Sequence, residues 1–173
     1  FNRQRWNGMM MLQDPQDAFA LNDFLWTEQP DVMIELGTAY GGSAVFFAQI
    51  MLAYNPRAHV ITIDPVDLVR SPVNVGRVKA HNSPLWGTAI RALSGDPIAP
   101  TTVSKVTSLI RELNATNVFI NEDSVHEHQM VLNNVEAYHD LLRPCGWILF
   151  QDTKMSRFDG RKGPIWAQRQ FLN

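Results

Sequence analysis

Short apolar runs alternate with longer segments of helical periodicity along the chain. The apolar runs are rich in β-branched and aromatic residues and predict five buried strands, near residues 32–34, 60–63, 89–93, 118–120 and 147–150. Between them, apolar residues recur at helical spacing and predict helices over residues 14–28, 43–54, 101–113, 126–142 and 164–172. The stretch 67–86 has no sustained period and is predicted to be a loop with one short helix.

This order of elements predicts an α/β fold. Strands that alternate with helices form parallel βαβ units with right-handed crossovers, so we expect a mostly parallel sheet with helices on both faces. No internal repeat, low-complexity tract or charge run divides the sequence. We therefore expect one domain over residues 1–173.

Composition narrows the class of protein. The chain is 45% hydrophobic and 18% charged with a formal net charge of −2, which argues against a disordered chain. It has no Lys/Arg block typical of a nucleic-acid binder, and no apolar run reaches the roughly 18–20 residues that span a bilayer. The single cysteine, Cys145, cannot form an internal disulfide, which favours a reducing compartment. We expect a cytoplasmic protein that binds neither nucleic acid nor membrane.

Acidic residues follow the predicted strands. Ligands of parallel sheets bind beyond the carboxyl ends of the strands. A turn or helix-cap role would account for one or two acidic residues at such positions, but less readily for all of them. Five carboxylates are therefore expected to converge at one edge: Glu35, Asp64, Asp96, Asp123 and Asp152.

A glycine-rich loop joins the first predicted strand to its helix. Residues 34–43 read Ile-Glu-Leu-Gly-Thr-Ala-Tyr-Gly-Gly-Ser. Glycines let a ligand approach the backbone closely, and the start of the following helix offers free amides, which together favour a nucleotide-like cofactor. The glycine spacing fits neither the dinucleotide fingerprint nor the phosphate-binding P-loop.

At this loop the sequence resembles a known family. Glu-Leu-Gly-Thr at 35–38, followed by Gly-Gly-Ser-Ala at 41–44, is similar to the first motif of class I S-adenosylmethionine-dependent methyltransferases. The resemblance is to the cephalosporin hydroxylase/rhamnosyl O-methyltransferase family, with macrocin-type sugar O-methyltransferases as relatives. Supporting stretches lie in the expected order at 6–8, 15–17, 29–31, 123–126 and 163–164. The resemblance implies a Rossmann-like sheet with S-adenosylmethionine across its carboxyl edge, an N-terminal helix and lid over 1–30, and a cofactor-binding core over 31–173.

The loops can then be assigned to parts of the cofactor. Asp64 is placed to accept hydrogen bonds from the ribose hydroxyls, with Asp67 as the alternative, and Gly95 and Asp96 are expected near the adenine. The methionine portion is expected at the glycine loop, through Glu35, Gly37, Thr38, Gly41, Gly42 and Ser43.

The ends of the fourth and fifth strands predict a metal site and a base. Asp123, Gln151 and Asp152 offer oxygen ligands that suit Mg²⁺, and His126 is placed to act as a general base. The related sugar O-methyltransferases carry Asp-x-x-His after the fourth strand, matched by Asp123 and His126. They carry Glu-Asp after the fifth strand, whereas this chain has Gln151, which brings no charge and should weaken metal affinity.

The expected function is Mg²⁺-assisted O-methyl transfer to a hydroxyl of a sugar or natural-product small molecule. One alternative is a non-haem iron oxygenase that uses Asp123, His126 and His128. Another is a cofactor-binding or scaffold domain without activity, favoured by Gln151. The resembled fold usually has two further strands after the helix near Pro164. We therefore expect the C-terminal strands to be missing here and the open sheet edge to promote homo-oligomers.

Overall fold

Five parallel strands form the centre of the fold. The computed structural model describes residues 4–155, 160 and 162–173. Its central strands are β3 (Val32–Leu36), β4 (His59–Asp64), β5 (Ile90–Ser94), β6 (Val118–Glu122) and β7 (Trp147–Phe150). They pair in the order β5-β4-β3-β6-β7, and every neighbouring pair is parallel. The predicted α/β fold is confirmed, and the strand order reverses between β3 and β6, where ligands of such sheets bind.

Helices cover both faces of this sheet. They are α1 (Pro15–Glu28), α2 (Gly42–Tyr54), α3 (Pro100–Glu112), α4 (His128–Tyr138) and α5 (Pro164–Phe171). Successive residues of a strand face opposite layers. Met33 of β3 accordingly belongs to the apolar cluster with α1 and α2, whereas Ile34 belongs to the cluster with α3 and Tyr138. The three inner strands, β3, β4 and β6, are therefore buried on both faces.

Two boundaries differ from the predicted ones in ways that affect the site. β3 continues to Leu36, because its ladder still pairs Glu35 with Thr62 of β4 and Asn121 of β6. Glu35 therefore lies inside the strand and is fully buried, rather than directly after it. Helix α4 begins at His128, so His126 lies in the preceding loop.

An N-terminal hairpin was not predicted. Its strands β1 (Arg5–Trp6) and β2 (Met9–Met10) pair antiparallel. The turn between them is Asn7-Gly8, where both residues have positive φ, a common turn in two-residue hairpins. The hairpin packs on α2 through an edge contact of Trp6 with Phe46, whose ring centroids lie 4.9 Å apart. The two methionines of β2, Met9 and Met10, are buried, as is Met11 directly after them.

No helix within the described ranges is long and apolar enough to cross a membrane. The longest, α1, has 14 residues, whereas a bilayer requires about 20. The predicted loop over 67–86 is confirmed, and its short helix is a 3₁₀ turn over Ala80–Asn82.

Candidate active site

Two carboxylates and an imidazole converge at the carboxyl ends of β6 and β7. Asp123 directly follows β6, His126 lies in the loop beyond it, and Asp152 is the second residue after β7. Because β6 and β7 are parallel neighbours, their ends lie side by side. One ligand atom from each of the three residues lies within 4.8 Å of the others. We call Asp123, His126 and Asp152 the edge cluster.

The electrostatics of the edge cluster favour a cation. Nε2 of His126 lies 2.8 Å from Oδ2 of Asp152, and this hydrogen bond holds the pKa of Asp152 below its usual range. Burial raises the pKa of Asp123 well above its usual range, and the nearby carboxylates of Asp152, Glu35 and Glu122 raise it further. Such crowding is relieved by a proton or by a bound cation. Two carboxylates with space for further oxygen ligands fit Mg²⁺.

Gln151, the third predicted metal ligand, donates from Nε2 to Oδ1 of Asn121 at 2.9 Å. Its ligation of a metal stays a prediction. Among the described residues, His128 is not part of the edge cluster. The arrangement therefore lacks the second histidine of a two-histidine, one-carboxylate iron site.

Gln13 contacts the edge cluster, although nothing in the sequence pattern pointed to it. It lies between β2 and α1 with only 1% of its surface exposed. Its side-chain amide donates from Nε2 to Oδ2 of Asp123 at 2.8 Å, across 110 positions of sequence. A contact of this range appears only once the fold brings the N-terminal segment over the sheet edge.

The glycine loop and the edge cluster share one cavity of about 280 Å³. All of residues 37–43 line it, including the predicted Gly37, Thr38, Gly41, Gly42 and Ser43. The edge cluster also lines it, and Met10 and Leu12 contribute apolar surface. Its volume is close to the lower end of small-molecule pockets, about 300 Å³. The structure thus places the predicted cofactor loop, the predicted metal ligands Asp123 and Asp152 and the predicted base His126 around the same space, whereas the predicted ligand Gln151 does not line it.

Two glycines of this loop are required by the packing of the chain itself. A Cβ on Gly37, whose φ is +105°, would lie 2.1 Å from the carbonyl oxygen of Asp123. A Cβ on Gly42 would lie 2.0 Å from the carbonyl oxygen of Met10. The loop after β6 and the N-terminal hairpin therefore pack directly on the glycine loop. The glycines bring together the segments that line the cavity.

Glu35 lies beneath this loop, in a fully buried position. Thr62 donates from Oγ1 to Oε2 of Glu35 at 2.5 Å, while Oε1 of Glu35 has no hydrogen-bond partner among the described residues. Burial raises its pKa to about 7, against the lowering effect of the neighbouring Ser43 and Thr62 side chains. A cationic amino group is the kind of ligand that such a carboxylate can receive.

Asp64 ends β4 and lines a second, smaller cavity of about 70 Å³. Its Oδ2 accepts from the amide of Ala39 at 3.0 Å, and its Oδ1 accepts from the amide of Val66 at 2.9 Å. Each carboxylate oxygen can accept a further hydrogen bond, so Asp64 keeps the capacity to bind ribose hydroxyls. Asp67 lines the same cavity and forms an ion pair with Arg70 at 2.9 Å.

Gly95 and Asp96 lie just after β5, as predicted, but line neither of these two cavities. Oδ1 of Asp96 accepts from the amide of Ile98 at 3.1 Å, which gives it a role in the turn before α3. Their contact with an adenine ring stays a prediction.

Comparison with known proteins connects this site to a family. The family model described as rhamnosyl O-methyltransferase/CmcI matches residues 1–171. The rhamnosyl O-methyltransferase of Mycobacterium leprae (strain TN) is 24% identical over 156 residues, which cover 90% of this chain and 63% of that protein. The rhamnosyl O-methyltransferase of Mycobacterium tuberculosis (strain H37Rv) is 25% identical over 149 residues, covering 86% and 56%. The chain spans less than two thirds of the length of these relatives.

Solved structures share the fold. A CmcI structure with Mg-SAM superposes with a TM-score of 0.67 at 21% identity, covering 99% of this chain and 66% of that one. A putative caffeoyl-CoA O-methyltransferase from Staphylococcus aureus gives a TM-score of 0.60 at 18% identity, covering 96% and 76%. These likenesses show the Rossmann-like methyltransferase fold, and the family model extends over almost every residue. The chain belongs to the rhamnosyl O-methyltransferase/CmcI family.

Proposed function

We propose that this chain is the cofactor-binding part of an S-adenosylmethionine-dependent, Mg²⁺-assisted O-methyltransferase. Its acceptor is a hydroxyl of a sugar or natural-product small molecule. The observation that carries this proposal is that the glycine loop and the edge cluster line the same cavity. The names of the curated relatives and the Mg-SAM complex of CmcI support it.

The glycine loop is suited to the methionine portion of the cofactor. Helix α2 has Gly41 at its N-cap, so no side chain caps its first amides. These amides and the positive end of the helix dipole can receive the cofactor carboxylate. Glu35 lies beneath the loop with one oxygen unpartnered among the described residues and can receive the amino group. Asp64 at the second cavity can receive the ribose hydroxyls.

The edge cluster is suited to activating a hydroxyl. Asp123 and Asp152 would hold the ion, and Gln151 remains a candidate third ligand. When bound, Mg²⁺ would lower the pKa of the acceptor hydroxyl, and S-adenosylmethionine would supply an electrophilic methyl group. His126 accepts the hydroxyl proton on its imidazole, and the neighbouring Asp152 carboxylate stabilises the resulting imidazolium. The His126 side chain is 39% exposed, so it can return this proton to solvent.

The metal part of the proposal is testable without the acceptor. Mn²⁺ can replace Mg²⁺ as a spectroscopic probe, and its binding can be followed by electron paramagnetic resonance. We expect one site per chain and at least a ~10-fold weaker affinity in Asp152→Asn, because a charged ligand is removed. Asp140→Asn is the matched control, since Asp140 is 92% exposed on a surface turn. Failure of the unchanged protein to bind Mn²⁺ would contradict the metal part.

We also propose that the chain forms homo-oligomers through the outer edge of β7. Within the described residues, β7 pairs with β6 on one side only, and Trp147 at its start is 48% exposed. An unpaired strand edge is a template for association. A monomer in light scattering, together with high thermal stability, would contradict this.

We further propose a cytoplasmic location. The exposed, unpaired Cys145 supports it, because a reducing compartment keeps such a thiol free.

A further inference from the structure

The stability of the folded protein does not explain why a polar side chain is buried at Gln13. Its Nε2 donates to Asp123, but its Oε1 is buried and has no hydrogen-bond partner among the described residues. Burying an unsatisfied polar atom destabilises the folded protein, and an apolar side chain of similar size would avoid that cost. The amide at this position therefore points to a role at the carboxylate that it contacts.

The segment that carries Gln13 contacts each of the three loops around the cavity. The carbonyl of Met10 packs against Gly42 of the glycine loop. Gln13 holds Asp123 in the loop after β6. Oδ2 of Asp14 lies 3.2 Å from Nζ of Lys154 in the loop after β7. Residues 10–14 thus tie together the parts of the chain that supply the cofactor loop and the edge cluster.

We propose that Gln13 is a positioning residue that fixes the orientation of Asp123 for metal binding. The hydrogen bond to Oδ2 restricts rotation of the carboxylate and leaves the other oxygen for the ion. Outer-shell hydrogen bonds of this kind orient the ligands of a metal, and their loss typically weakens metal affinity about 10–100-fold. This inference rests on the metal site of the proposed function.

The test compares metal affinity with cofactor affinity in Gln13→Leu. Mn²⁺ binding is measured by electron paramagnetic resonance and S-adenosylmethionine binding by calorimetry, on the full chain. We expect Mn²⁺ affinity to fall at least ~10-fold while cofactor affinity changes less than ~2-fold, because only Asp123 loses its partner. Gln16→Leu is the matched control: Gln16 lies in the same part of the chain but is exposed, and both affinities should be retained.

Two results would overturn the inference. One is unchanged Mn²⁺ affinity in a folded Gln13→Leu protein. The other is an equal loss of both affinities, which would indicate a general packing role. If Gln13→Leu does not fold, Gln13→Asn decides by the same criteria, since it keeps the amide but withdraws it by one methylene. Absence of Mn²⁺ binding by the unchanged protein would instead contradict the metal site itself, so the two failures are distinguishable.

Discussion

The imidazole of His126 lies 2.8 Å from the carboxylate of Asp152. This contact joins the loop after β6 to the segment after β7, and it links the predicted base to a predicted metal ligand. An imidazole held beside a carboxylate has a fixed orientation and a stabilised cationic form. The pair therefore fits the role of general base that we propose for His126.

Replacing His126 should separate turnover from cofactor binding. In His126→Ala we expect kcat to fall about 10²–10⁴-fold, because general-base catalysis contributes that much, whereas affinity for S-adenosylmethionine should be retained. Steady-state kinetics and calorimetry measure the two quantities. His59→Ala is the control, since His59 begins β4 and so lies at the amino-terminal ends of the strands, away from the edge cluster. Equal loss of affinity and turnover in His126→Ala would refute its role as base.

Replacing Asp64 should weaken cofactor binding. Hydrogen bonds to a charged group contribute about 1.5–3 kcal/mol, so Asp64→Asn should lose roughly 10-fold or more in affinity for S-adenosylmethionine. Circular dichroism should show a retained fold. Asp67→Asn serves as the comparison, because Asp67 lines the same cavity and is the alternative ribose ligand. A larger loss in Asp67→Asn than in Asp64→Asn would move the ribose contact to Asp67.

The buried Glu35 predicts a pH dependence of stability. Its pKa is raised from 4.5 to about 7 in the folded protein. Below pH 4.5 the group is protonated in both states, and between pH 4.5 and about 7 only the folded state holds the proton. The free energy of unfolding should therefore fall as pH rises through this window and level off above it.

Glu35→Gln should remove that decline, since glutamine does not titrate. Urea unfolding of the two proteins should show a difference that grows by about 3 kcal/mol from about pH 4 to about pH 8, with the variant the more stable at the higher pH. Glu136→Gln is the control, because Glu136 is exposed on α4. Parallel stability curves for the unchanged protein and Glu35→Gln would show that burial does not raise this pKa.

Gly42 should tolerate no side chain. A Cβ there would lie 2.0 Å from the carbonyl oxygen of Met10, so either α2 or the hairpin must move. We expect Gly42→Ala to destabilise the protein by about 3 kcal/mol or more in urea unfolding. Gly87→Ala is the comparison, because its Cβ would meet nothing within 4 Å and only its positive φ is strained. A smaller effect at Gly42 than at Gly87 would contradict the packing described for the loop.

The sheet and the edge cluster were predictable because they follow from order along the chain. Parallel strands place the residues that follow them at one edge, which brings Asp123 and Asp152 together without knowledge of any other contact. The extent of β3 was less predictable, since Glu35 is a charged residue that continues a strand only because both neighbouring strands pair with it.

Contacts between distant segments could not be predicted from one sequence. Gln13 reaches Asp123 only after the N-terminal segment folds over the sheet edge, and no local pattern records that approach. The same holds for Gly42, where the carbonyl oxygen of Met10 leaves no room for a side chain. The hairpin had one local signal, Asn7-Gly8, but each of its strands has only two residues, too few for an alternating pattern.

Calorimetric titration with S-adenosylmethionine, with and without Mg²⁺, tests whether this cavity holds the cofactor. We expect saturable binding at one site per chain in both conditions, because the proposed contacts with the glycine loop and Asp64 do not require the ion. Asp64→Asn should weaken that binding, and His126→Ala should leave it unchanged. No detectable binding by the folded chain in either condition would contradict the assignment of this cavity to the cofactor.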